Sequence, residues 1–113
     1  KLAGEALKDI ISPDEKKEVT PAFIISTVAE HFHMSVDDIR SNKRNTEIVV
    51  PRQIAMYLCS NLTSVGLKKI GSEMGGRDHS TVLHGSKKIS SELKTSEDMR
   101  KTIEILKKKI NPS

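Results

Sequence analysis

The sequence has one cysteine, no tryptophan, one tyrosine and two phenylalanines among its 113 residues. A lone Cys59 rules out an internal disulfide and a zinc site built on several cysteines. Set among apolar residues on an expected helix, it reads as a small core hydrophobe. With so few aromatic rings, a core has to come from Ile, Leu, Val, Ala and Met, which suits small helices better than a sheet. No apolar run approaches the roughly 18–20 residues of a membrane-spanning helix, and nothing resembles a secretory leader. The expectation is a soluble, cytoplasmic protein. His31 and His33 bracket Phe32 with no further ligand cluster, so no metal site is expected. The pair Gly75-Gly76 lacks the Gly-x-x-x-x-Gly-Lys-Ser/Thr pattern of a nucleotide loop. An opening Lys1 in place of Met suggests a piece of a longer chain, and the length allows one domain plus an appendage.

What the sequence does have is unevenly placed charge. Residues 1–38 hold 4 Lys/Arg against 8 Asp/Glu, whereas residues 39–113 hold 15 against 7. A basic C-terminal two-thirds is the electrostatic footprint of a nucleic-acid binder, although Lys-rich solvated faces are common enough that charge alone decides little.

Leu2 to Ile11 reads as a short amphipathic helix ending at Ser12-Pro13. The charged run Asp14 to Glu18 suits a linker, so residues 1–19 are expected to be a linker helix and residues 20–113 the domain. Ser12 with Glu15 three residues on is also a capping-box pattern, and the two readings stay open. Thr20-Pro21 is a helix start that runs to about Phe32 and is expected to bury Phe23, Ile24, Thr27 and Val28, with His31 at the margin. Ser35 caps a second, short helix anchored by Ile39. Residues 40–46 are polar and basic, an expected exposed loop. A long central helix follows, from about Ile48 to Leu62. Pro51 is tolerated only in a first turn, which puts the start no earlier than about Val49. A last helix opens with Glu97-Asp98 and closes with Lys107 to Lys109, charges that complement the helix dipole at each end. No strand pattern or internal repeat appears. The fold is expected to be all-α, a small bundle containing a helix–turn–helix.

That helix–turn–helix is residues 67–94. Leu67 to Met74 is a short amphipathic segment, two glycines allow a sharp turn, and Asp78 can cap a new helix. The new helix splits into two faces at 100° per residue. Val82, Ile89 and Leu93 stack on one side, with Gly85 and Ser86 as small residues for close packing. Ser80, Thr81, His84, Lys87 and Lys88 lie opposite. A helix N-terminus aimed into the major groove brings such first-turn side chains to base edges. His79 donates or accepts there, Ser80 bonds several bases, and the Thr81 methyl suits a thymine methyl. Asp78 serves as the cap and is also able to accept from a cytosine amino group. Arg77 is expected on phosphate or a guanine edge. Lys87 and Lys88 are expected on phosphate, which fixes register without reading sequence. Arg40, Lys43 and Arg44 read either as a solvated loop or as a loop entering the adjacent minor groove, where narrow A·T-rich DNA attracts arginine. Arg52 is expected on a phosphate.

Gly75-Gly76-Arg77-Asp78-His79-Ser80-Thr81-Val82-Leu83-His84 resembles the C-terminal signature of the DnaA family of bacterial chromosomal replication initiators. Pro51-Arg52-Gln53-Ile54-Ala55-Met56 and Leu67-Lys68-Lys69-Ile70-Gly71 extend the resemblance over roughly residues 20–110. It implies a domain that recognises short A·T-rich boxes in double-stranded DNA at a replication origin. Arg44, and with it Lys43, would enter the minor groove. Arg77, Asp78, His79, Ser80 and Thr81 would fall at the base-reading positions, with Leu67 and Lys68 touching DNA from the preceding helix. His84 joins the supporting contacts. The resemblance further implies a monomer for this piece, oligomers of the full-length protein on the origin, and association with the nucleoid. Regulatory proteins are further partners. ATP and Mg would belong to a missing ATPase part, and no cofactor is expected here. Residues 1–11 are similar to the end of that part's lid, so contact with acidic phospholipid is one expected property of this region. Three positions depart from the family. Ser60 stands where some relatives carry a basic residue used against DNA, Met74 where Phe is frequent, and Asn42 with Thr46 make the loop less basic.

Asp78, His79 and Ser80 do not make a hydrolase triad, because consecutive side chains on a helix start diverge. No catalytic activity is expected. An ordinary helix–turn–helix transcriptional regulator is the alternative, but it usually dimerises on a palindrome, and no heptad seam is visible. A protein-interaction module with a basic face is the third reading, and the polar residues at the motif's helix start argue against it.

Overall fold

A computed structural model describes residues 19–112. Thr20 starts the first element as its sequence requires. Its hydroxyl accepts from the Phe23 N–H at 3.2 Å and Pro21 takes the first helical position, giving α1, Pro21–His31. Ser35 does the same for α2, Val36–Arg40, accepting from the Asp38 N–H at 3.0 Å. The remaining helices are α3, Thr46–Leu62, α4, Leu67–Glu73, α5, His79–Glu92, and α6, Glu97–Ile110. Ser96 caps α6, with Glu97 and Asp98 in its first turn and three lysines in its last. Among the described residues there is no strand, so the expected all-α fold holds. None of these helices is long and apolar enough to cross a membrane.

Helix α3 is the centre. It packs against α1, α2, α4 and above all α5, while α6 rests on α1. The core is aliphatic, as the missing aromatics demand: Ile24, Val28, Ile39, Leu58, Ile70, Met74, Val82, Ile89 and Leu106 are each fully buried. Cys59 lies among them, and burial, with the Glu73 charge behind it, pushes its thiol up to about 12. It is a core residue and not a reactive one. Met74 fills its site with no exposed surface.

The structure corrects two local expectations. Phe23 is 45% exposed, and Ile25 and Ala29 take its place in the interior. Helix α3 starts at Thr46, three residues before the limit set from Pro51. Proline removes a bond to the Glu47 carbonyl, but Glu47 lies at the exposed start of the helix, where losing one bond is tolerated. Val19, the first described residue, is half-buried against the core. The expected helix Leu2 to Ile11 and the linker boundary lie outside the described residues.

Candidate nucleic-acid interface

The turn between α4 and α5 is built around one carbonyl. Gly71 O accepts from the backbone N–H groups of Met74, Gly76 and Arg77, at 3.1, 3.1 and 2.9 Å. Gly75 and Gly76 adopt φ of +90° and +84°, the left-handed region in which a side chain is strained. Gly75 has a second reason to lack a side chain, since a Cβ there would lie 2.2 Å from the Arg40 carbonyl oxygen. The turn therefore sits directly against the end of α2.

Asp78 then caps α5. Its Oδ1 accepts from the Thr81 N–H at 3.0 Å and from the Thr81 hydroxyl at 3.1 Å. Those two bonds hold the Asp78 carboxyl below its ordinary range. The anchor on the opposite face is Gly85, which lets α5 approach α3 so closely that a Cβ would fall 2.4 Å from Met56 Sδ. Val82 and Ile89 are buried beside it, and Leu93 is half-buried just past the helix end. This leaves His79, Ser80, Thr81, His84, Lys87 and Lys88 exposed, as the two-faced pattern predicts. Lys68 is exposed on α4 and Leu67, its first residue, half-buried. A groove of about 400 Å³ runs between α3 and α5, lined by Gln53, Thr81, His84 and Lys88 among others. Gln53 was not among the expected contacts; it lies on the helix face next to Arg52.

The basic loop is shaped at its base by Ser41. The Ser41 hydroxyl donates to Asp38 O at 2.6 Å and accepts from the Lys43 N–H at 3.2 Å. Lys43 Nζ pairs with Asp38 Oδ1 at 3.0 Å, which holds the Asp38 carboxyl below its usual range. Arg44, one residue on, is exposed and has no hydrogen-bonding or ionic partner among the described residues.

Two expected contacts are placed differently. Arg52 lies in the second turn of α3 and is only 7% exposed. Its guanidinium donates to Ile39 O at 2.8 Å, Ser41 O at 2.9 Å and Asp38 O at 3.4 Å, so it is engaged on the protein's own backbone. A signal for this was present: Ile48, Arg52, Ala55 and Cys59 recur at helical spacing on the buried face. Arg77, half-buried, donates through Nη1 to Arg40 O at 3.3 Å and to Met74 O, and through Nη2 to Ser41 O. Burial holds the pKa of both arginines down, and for Arg52 the charge of Arg77 adds to it. Sequence gives no sign that these two side chains meet. Ser60 turns its hydroxyl oxygen into the interior.

A family model described as the bacterial DnaA protein helix–turn–helix matches residues 21–89. The chain belongs to the DnaA family. It is 55% identical over 112 residues to the chromosomal replication initiator protein DnaA of Lachnoclostridium phytofermentans, covering 99% of this chain and 25% of that protein. The sequence thus spans about a quarter of the length of the curated relative it matches. It is also similar to a crystal structure of a DNA replication initiation factor, with TM-score 0.71 and 32% identity over 80% of this chain and 27% of that one. The residues matched by the family model run from α1 into α5 and so include α4, the glycine turn and most of α5.

Proposed function

We propose that this chain is the sequence-reading part of a replication initiator, which binds short A·T-rich boxes in double-stranded DNA at an origin. The carrying observation is the junction at Ser41. It places the root of the basic loop against the turn that opens α5, so two DNA-reading elements start from one point. In this reading the first turn of α5 enters the major groove, where Asp78, His79, Ser80 and Thr81 meet base edges. Arg44 enters the adjacent minor groove and favours A·T pairs there. Lys43, Leu67, Lys68, His84, Lys87 and Lys88 line phosphates and set the register. Gln53 joins them from the groove between α3 and α5. The work is binding and involves no catalysis. A family ATP site, with its Mg, would lie elsewhere in a longer protein, and assembly on an origin would be a property of that protein. Contact with acidic lipid concerns residues outside those described.

Fluorescence anisotropy on an A·T-rich box, a scrambled duplex of equal composition and a palindromic operator library tests the reading. Preference for the box as a monomer supports it. Equal binding to box and scramble refutes it, and dimeric binding to a palindrome favours a transcriptional regulator.

A further inference from the structure

Helix α2 is five residues long, so the carbonyls at its C-terminal end lack partners further along the helix. The Ser41 N–H and hydroxyl meet Asp38 O, and two arginines from other segments supply further donors. Arg52 of α3 takes Asp38 O, Ile39 O and Ser41 O, while Arg77 of the α4–α5 turn takes Arg40 O and Ser41 O. Both side chains thus converge on one oxygen, that of Ser41. Cations at a helix C-terminus are favoured by the dipole, which offsets the repulsion between the two guanidinium groups.

We infer that Arg77 is a positioning residue for minor-groove reading: with Arg52 it clasps the root of the basic loop, fixing Arg44 relative to α5. This rests on the DNA-binding function proposed above. Arg77 immediately precedes Asp78, the cap of α5, and Ser41 begins the segment that leads through Lys43 to Arg44. One side chain therefore ties the origin of the major-groove helix to the origin of the minor-groove loop, across 36 residues of sequence. Gly75 makes the joint close-fitting, because Arg40 O occupies the space where its Cβ would be. Lys43 is held back on Asp38, so the loop leaves the clasp along a set path. Fixing two readers in advance removes an ordering cost that DNA binding would otherwise carry. The two grooves are then read as a unit, and Arg77 influences base choice at a place it does not touch.

The test is anisotropy with wild type, Arg44→Ala, Arg77→Met, Arg77→Lys and the Arg44→Ala/Arg77→Met double variant, on a box and its single-base-pair variants. Base pairs at which Arg44→Ala loses discrimination define the loop end of the site. The clasp predicts that Arg77→Met loses discrimination at those same pairs and keeps it at pairs read by α5. The double variant should match Arg44→Ala there within about twofold, the scatter of independent measurements. Arg77→Lys should fail like Arg77→Met, since a point charge does not replace a fork held on several carbonyls. Rescue by Lys, loss at the α5 end, or a double variant whose losses multiply would each overturn the proposal and make Arg77 a direct contact. If Arg77→Met does not fold, NMR of the wild-type arginine side chains decides. Slow exchange of the Arg77 Nη protons, unchanged on adding box DNA, supports the clasp, and surface-like exchange overturns it. Wild type that does not distinguish box from scramble removes the DNA reading itself, a different failure.

Discussion

The guanidinium groups of Arg52, from α3, and Arg77, from the α4–α5 turn, donate to the same carbonyl oxygen, that of Ser41. Around this point α2 ends, the basic loop begins and the glycine turn passes. The basic loop and the turn that opens α5 thus meet at a junction held by two arginines.

Replacing Arg52 should be costly for stability. Arg52→Met removes the donor to the buried Ile39 carbonyl and leaves Ser41 O with Arg77 alone, at about 2–3 kcal/mol in total. Urea unfolding should show a lower midpoint with an unchanged slope. A loss confined to DNA affinity, with stability intact, would mean that Arg52 works at a phosphate after all.

Two glycines should respond oppositely. A Cβ on Gly71 would meet the Arg77 carbonyl oxygen at 1.9 Å, whereas nothing lies within 4 Å of one on Gly66. Gly71→Ala should cost about 2–3 kcal/mol or fail to fold, because backbone has to move. Gly66→Ala should be nearly neutral: the lower unfolded-state entropy of Ala offsets its poorer fit as an N-cap. Thermal melts of the two variants compare them directly.

Stability should fall modestly in mild acid through His31. Lys109 Nζ lies 3.0 Å from His31 Nδ1, and an ammonium only donates, so the ring accepts there and is neutral. Burial first, then the charges of Lys109 and His33, lower its pKa below the ordinary 6.5. The unfolded chain therefore takes up the proton first. This contribution is complete above pH 6.5, declines as pH falls below it, and levels off beneath the folded value. NMR titration should place the His31 midpoint below 6.5, and Lys109→Met should move it upward.

Lys88 and His79 separate register from reading. Lys88 makes only an exposed pair with Glu92 at 3.7 Å, so Lys88→Ala should change stability by less than about 0.5 kcal/mol. It should weaken all duplexes alike and flatten the salt slope by about one unit. His79→Ala should instead cost about 1–3 kcal/mol at one or two base pairs, with the salt slope kept. A change of base preference in Lys88→Ala would contradict this division of the α5 face.

The caps were legible from sequence because capping is local: Thr20, Ser35 and Asp78 each accept the bond that their position implies. The α5 face was legible for a similar reason, since Val82, Gly85 and Ile89 repeat at helical spacing. Pro51 misled because its cost depends on whether water reaches the bond it removes. Phe23 misled because the three-dimensional edge of the bundle, not its own helix, decides whether it is covered. Arg52 and Arg77 were legible as cations but not as partners. Their meeting depends on α2 ending beside the glycine turn, a relation between segments 25 or more residues apart that no local pattern contains.

The most direct test compares the dissociation constant for an A·T-rich box with that for a scrambled duplex, on one protein sample at fixed physiological salt. The account predicts a preference for the box of about a thousandfold or more, the range of sequence-specific DNA binders. A ratio near one, with binding that merely weakens as salt rises, would leave only a basic surface and contradict it.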